Sequence, residues 1–151
     1  MNNELIKSIL LGGLCAGILD FIGACVSNAS RGVTPLRIAH SIASGVLGRA
    51  AFEGGAKTAA LGVALHFVIA LGAATVFNLA SLKSRWLVAQ PYVSGALYGV
   101  AVFWFMQLVV LPLSAISFRQ NFSGPVVATG LLVHVICVGL PIALAARWCA
   151  K

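Results

Sequence analysis

Apolar positions run along this chain in four long windows, residues 5–29, 58–81, 91–113 and 125–148. Each exceeds the ~20 residues that an α-helix needs to cross a bilayer. An isolated span in lipid satisfies its backbone polar groups only within itself, so each window is expected to be helical. The breaks carry turn chemistry: Lys83-Ser84-Arg85 ahead of Pro91, then a stretch holding Arg119, Gln120 and Asn121 ahead of Pro125. An even number of crossings leaves both termini on the same side.

Between the first two windows the pattern changes. The run RGVTPLRIAHSIASGVLGRAAFEGG, residues 31–55, brings three arginines, one histidine, one glutamate and five glycines into otherwise apolar surroundings. Wound as a helix over residues 36–51, it sets Arg37, His40, Ser41, Ser44 and Gly48 on one arc and Ile38, Ala39, Ile42, Ala43, Val46 and Ala50 on the other. Such a helix is too short to span, so it is expected in the interface or as a re-entrant element, bracketed by Pro35 and Gly54-Gly55. Two readings stay open. In one, a surface helix presents Arg37 and Arg49 to phosphate headgroups; in the other, it is a lid or gate whose His40, Ser41 and Ser44 line a polar pocket.

Composition agrees with the pattern. The 151 residues are 60% hydrophobic and 9% charged, with a mean hydropathy of +1.02, whereas a globular surface normally draws on about a quarter charged residues. The expectation is an all-α membrane protein, one transmembrane domain over residues 1–151, with four transmembrane helices plus one amphipathic helix. A very hydrophobic soluble bundle is the weaker alternative. The net charge is +7, and its ten basic residues divide five against five: Lys7, Lys83, Arg85, Arg147 and Lys151 flank the side of the termini, and Arg31, Arg37, Arg49, Lys57 and Arg119 flank the other. The compact basic link after the second window favours cytoplasmic termini. The basic excess suits anionic headgroups of the bilayer and not nucleic acid, for which there is no aromatic-studded polar domain.

Residues 8–19 resemble the apolar core of a signal peptide, but Asp20 interrupts it and no small-residue cleavage site follows, so the segment is expected to stay as the first helix. Leu14 is too large for a lipoprotein box before Cys15. The four cysteines lie in or at the ends of apolar windows, where a thiol acts as a small hydrophobe. Trp86, Tyr92 and Trp148 read as interfacial anchors, and Trp104 as packing within the third span.

An internal repeat of two spans is suggested by three ordered matches. Gly13-x-x-x-Gly17 with Phe21 matches Gly95-x-x-x-Gly99 with Phe103; Val33-Thr-Pro-Leu36 matches Val110-Leu-Pro-Leu113; Ala60-x-Gly62-x-x-x-His66 matches Ala128-x-Gly130-x-x-x-His134. Copies of two spans keep one orientation and would be related by an axis along the membrane normal. Gly13, Gly17, Gly62, Gly95, Gly99 and Gly130 then become helix-packing positions, and the first and third spans' glycine faces are candidate oligomer contacts.

The chemistry sits in the few polar groups inside spans, which are costly there and point to function. Asp20, His66, Gln107 and His134 are expected to form a polar core or proton relay, with His40 or Arg49 reaching it if the amphipathic helix packs inward. Ligation of haem or a metal by His66 and His134, with Cys137 three residues after the latter, is an alternative. No cofactor is otherwise expected. No catalytic residues are assigned: with three acidic residues, no Walker loop and no nucleophile elbow, enzyme signatures are missing.

The runs RGVTPLRIAHSIASGVLGRAAFEGGAKTAALGVALHF, PLSA (112–115) and VGLPIALAARW (138–148) resemble a group of small multi-pass inner-membrane proteins of bacteria that has no assigned activity. The resemblance spans nearly the whole chain and implies four spans in an inner membrane, and no catalytic residue. The functional expectation is a transport-related protein or accessory membrane subunit. The alternatives are a haem- or metal-binding redox protein and a structural partner of a larger membrane complex.

Overall fold

The computed structural model describes residues 3–116 and 122–150. Arg119, Gln120 and Asn121 of the last connection, and Lys151, lie outside the described residues. Among the described residues there are helices and no strands. Four helices are long and apolar enough to cross a membrane: α1 (Asn3–Ala29), α3 (Gly55–Lys83), α5 (Pro91–Leu113) and α6 (Gly124–Cys149). Between them lie α2 (Pro35–Leu47) and a single turn, α4 (Trp86–Ala89).

In lipid there is no hydrophobic gain in bringing spans together, so association rests on close packing and interhelical hydrogen bonds. Both are present. α1 sits between α3 and α6, α5 lies against α6, and α2 lies on α3. The centre is built from Ala16, Ala74, Phe77, Ile142 and Ala143, while Leu10, Leu14, Ile18, Ile22 and Val26 of α1 point outward. An outer surface of this kind needs lipid tails around it.

The glycines allow the close approach. A β-carbon on Gly13 would come within 2.7 Å of Leu71 and one on Gly17 within 2.7 Å of Phe67, both of α3. On α5, Gly95 would meet the Gly139 carbonyl at 2.9 Å and Gly99 the His134 carbonyl at 2.6 Å. Gly62 faces the backbone of α2 at Ala39, and Gly130 faces the Phe103 ring. Both stripes expected to serve oligomers are therefore spent inside the chain, because each span needs a small-residue face for its own neighbour.

One polar pair braces α1 and α3. Ser8 Oγ donates to Asn78 Oδ1 at 2.6 Å, and Asn78 Nδ2 donates to the Ala74 carbonyl at 2.8 Å, both residues being buried. Ser8→Ala is expected to lower stability by about 0.6 kcal/mol, and by no more than about 1.7 kcal/mol, the range for interhelical bonds in membranes. A denaturant titration of the detergent-solubilised chain would measure it.

The last two spans each contain a π-helical stretch, Met106–Val110 and His134–Gly139. In each, the closing N–H reaches back five residues, Leu111 to the Met106 carbonyl and Leu140 to the Val135 carbonyl. Proline follows immediately, at Pro112 and Pro141. Its ring crowds the carbonyl four residues back and has no N–H to offer, so the preceding turn widens. Each widened turn carries a polar residue, Gln107 in one and His134 in the other.

α2 departs from its expected form. It ends at Leu47, because Gly48 takes a left-handed φ of 57° and the chain continues as a 3-10 turn to Phe52. The Thr34 side chain caps its start, accepting from the Arg37 N–H at 3.3 Å, with Pro35 in the first turn. It does not lie flat on the bundle with a solvated polar arc. Ile38, Ala39, His40, Ala43 and Ser44 are buried together, and Leu36, Val46 and Leu47 are exposed. His40 and Ser44 tolerate burial because each has a backbone carbonyl as partner, His40 that of Gly55 at 2.8 Å and Ser44 that of Ser41 at 2.7 Å. Trp104 is also corrected: it is 38% exposed, its ring edge-on to Phe103 at 5.2 Å, and not packed inside. Trp86, Tyr92 and Trp148 are exposed near the ends of spans.

Candidate functional site

The four polar residues singled out inside the spans meet in one place. Asp20 from α1, His66 from α3, Gln107 from α5 and His134 from α6 all line a cavity of about 230 Å³ between the four spans, partly open on the α3–α5 side, where Ile69, Ala73, Val102 and Met106 also line a cleft. The periodicity of α1 explains the first: Gly13 and Gly17 seat that helix on α3, and Asp20, three residues on, reaches the gap beside the contact.

Each histidine is bonded to a backbone carbonyl, through a different ring nitrogen and to a different kind of partner. His66 Nε2 lies 2.8 Å from the Gly17 carbonyl of α1. His134 Nδ1 lies 2.9 Å from the Gly130 carbonyl in its own helix. A carbonyl only accepts, so in each ring the bonded nitrogen carries hydrogen, and the other nitrogen is left to take up a proton. Each imidazole also meets a phenylalanine edge-on, His66 with Phe21 at 5.6 Å and His134 with Phe103 at 5.4 Å. These are the residue pairs that the sequence matches set in correspondence, so both matched positions share an aromatic neighbour as well as a spacing. Asp20 is half-buried, and neither it nor Gln107 has a hydrogen-bond or ion-pair partner among the described residues.

α2 closes the cavity at the end away from the termini, but with apolar groups. Ile38 and Ile42 line it, whereas His40 is turned to Gly55 and Phe52, and Arg49 belongs to a separate hollow. Neither His40 nor Arg49 reaches the polar core, because inward packing of α2 brings its isoleucines there first. Of the residues expected on a gate, Arg37, Ser41 and Arg49 line this second hollow, a vestibule of about 760 Å³, together with Asn28 and Glu53. Arg37 is stacked over the Phe52 ring, 5.3 Å from its centre. Ser44 faces neither space and is 1% exposed.

The metal reading finds no support in the placement. Among the described residues no three His, Cys, Asp or Glu side chains converge as a ligand set. Cys137 points to α1, where a β-carbon at Gly23 would meet its sulfur at 3.4 Å. At about 230 Å³, the central cavity is also below the ~300 Å³ at which drug-sized ligands begin to fit, far short of a porphyrin.

Sequence reasoning missed Phe52, Asn28 and Glu53 of the vestibule and the part played by Ile38 and Ile42. None has a signal of its own; each is defined by what α2 packs against. Sequence reasoning also missed the widened turns, although Pro112 and Pro141 stand in the sequence beside them. Fold and site together define a polytopic helical membrane protein with a largely apolar cavity between its spans into which four polar side chains are brought. No family model, no curated protein and no solved structure matches this chain.

Proposed function

We propose that this chain is a small transport-related protein of a bacterial inner membrane, with cytoplasmic termini, that passes protons through its central cavity. Asp20, His66 and His134 are the groups that hold the proton, and Gln107 is a neutral donor and acceptor between them. The observation that carries this reading is the convergence of one acid, two imidazoles and one amide on a single cavity inside an apolar bundle. Intramembrane ionisable groups are expensive to keep, and an acid near histidines suits a relay.

The chemistry asks little of the fold. Each imidazole gains a proton on its unbonded nitrogen without giving up its carbonyl. Most of the cavity lining is apolar, but a water occupies about 30 Å³ in the liquid, so about 230 Å³ has room for several beside the four polar groups. Ile38 and Ile42 of α2 then act as the apolar gate at one end. The basic residues Lys83 and Arg85 beside α4, with Arg147 donating to the Ala89 carbonyl at 3.1 Å, support the side assigned to the termini.

The test is reconstitution into liposomes that enclose a pH-sensitive dye, with potassium and valinomycin to compensate charge. The wild-type chain is expected to dissipate an imposed pH step faster than empty liposomes. His66→Ala should slow that flux by roughly a hundredfold, the lower end for loss of a positioned proton-transfer group. A wild-type rate equal to that of empty liposomes throughout roughly pH 5–8 would overturn the reading.

A further inference from the structure

We propose that the vestibule beside α2 and the cleft between α3 and α5 form one binding site for an anionic phospholipid, with its phosphate on Arg37 and Arg49 and an acyl chain between the helices. This inference does not rest on proton passage.

The polar end has the chemistry of a phosphate site. Arg37, Arg49 and Ser41 offer donors around a hollow of about 760 Å³, which Asn28 also lines with its amide hydrogens already given to Ala24 and Ser27. Arg31, bonded through Nη2 to Asn28 Oδ1 at 2.7 Å, lines a neighbouring hollow and not this one. Glu53 also lines the hollow and offsets part of its positive charge, but it is not within ion-pair distance of either lining arginine, which leaves both guanidinium groups open to a phosphate. Stacking on Phe52 holds the Arg37 guanidinium in place, which lowers the entropy lost on binding. The hollow lies at the end of the spans, the level at which headgroups sit.

The apolar end is a gap that the fold leaves open. If the two halves of the chain are related by a twofold axis, the α1–α6 and α3–α5 interfaces are equivalent. The first is packed along its length. The second is held where Tyr98 Oη donates to the Ala73 carbonyl at 2.7 Å and its ring meets Phe77. Beside that latch runs a cleft of about 570 Å³ whose lining, including Val76, Ala101, Phe105 and Val110, is almost wholly apolar. A bilayer does not leave such a space empty, and a hydrocarbon chain matches it.

The two ends adjoin one another through shared walls. Ser41 and Ile42 of the vestibule also line a smaller hollow under α2, and Ile69, Met106 and Val110 of that hollow line the cleft. A molecule with an anionic head and an apolar tail fits both ends at once. A free phosphate ion fits one.

The experiment is a binding titration of the full-length chain in mild detergent, read by thermal shift and native mass spectrometry. The probes are phosphatidylglycerol, phosphatidylcholine and inorganic phosphate. Saturable binding of phosphatidylglycerol, much tighter than that of phosphatidylcholine, is expected. Replacing Arg37 and Arg49 together by Gln should weaken it roughly thirtyfold, since each cation near an anionic surface contributes severalfold. Gly72→Phe supplies the second arm: Gly72 lines the cleft, and a β-carbon there meets nothing within 4 Å. The added ring should fill the cleft and weaken phosphatidylglycerol binding without lowering the melting temperature of the lipid-free protein. Equal affinity for phosphate and phosphatidylglycerol, or no effect of Gly72→Phe, would reduce the site to an anion pocket and overturn the lipid assignment. Equal affinity for the two lipids, unchanged in the Arg37/Arg49 double variant, would overturn the role of the arginines. Proton flux is read separately, so failure here leaves that proposal standing or falling by its own measurement.

Discussion

Asp20→Asn is expected to abolish proton flux in reconstituted liposomes while leaving the protein as stable as the wild type, or slightly more so. Asp20 has no hydrogen-bond or ion-pair partner among the described residues, so the carboxylate contributes no contact that the amide would break. Asparagine is nearly isosteric, keeps the cavity polar, and has no proton to exchange. A carboxylate at mid-span costs about 2.5–3.5 kcal/mol on insertion scales, and the amide relieves much of it. Stability and activity should therefore move independently. Flux should fall to the level of empty liposomes, and the unfolding midpoint should hold or rise. Preserved flux would show that Asp20 is a solvated bystander, whereas loss of folded protein would make it a structural residue and remove it from the relay. His66→Ala is a less clean probe, because it also deletes the bond to the Gly17 carbonyl that ties α3 to α1.

Gly62→Leu is expected to have the largest effect on stability and to loosen α2 selectively. A β-carbon at this position would overlap the Ala39 carbonyl oxygen and crowd the Ala43 amide nitrogen. These atoms are backbone, so no rotamer change makes room and the whole of α2 has to move away. Overpacking of a tight contact typically costs 1–3 kcal/mol, and ~3 kcal/mol or more is expected where backbone blocks the side chain. Hydrogen exchange should quicken over residues 35–47 and remain unchanged in α6, which does not depend on that contact. With Ile38 and Ile42 displaced from the cavity mouth, residual flux should rise as an ungated leak. Unchanged protection of residues 35–47 would show that α2 is not seated on α3 through Gly62.

Much of this was legible in the chain itself. The predicted windows fall within three residues of the helix ends at every boundary, Asn3–Ala29 against 5–29 and Gly55–Lys83 against 58–81 being the least close. The reason is physical: bilayer thickness sets the length, and the need to satisfy the backbone sets the conformation, so a long apolar run has little choice. The polar core was legible for a related reason. Asp20, His66, Gln107 and His134 are too costly to face lipid, which leaves the bundle interior as their place. The matched spacing of His66 and His134 pointed to similar surroundings, and Phe21 and Phe103 occupy corresponding positions beside them.

Tertiary structure decided what helical periodicity leaves free, namely which face of each helix turns to which neighbour. Arc counting on α2 put His40 and Ser44 on a polar arc, turned either to headgroups or to a pocket; carbonyls of Gly55 and Ser41 satisfy them, and they are buried with Ile38 and Ala43. Glycine stripes on α1 and α5 fit a second copy of the chain as readily as a neighbouring span, and a chain with 16 glycines offers many such surfaces. Once α1 packs on α3 and α5 on α6, those stripes are used up. The open α3–α5 seam has no local signature either, since it is what remains when the other interfaces have closed. Span number, span limits and the residues that avoid lipid follow from the sequence, because the bilayer acts on each helix separately. Rotation, choice of neighbour and the spaces left between helices follow only from the assembled fold, because close packing is a property of surfaces in contact.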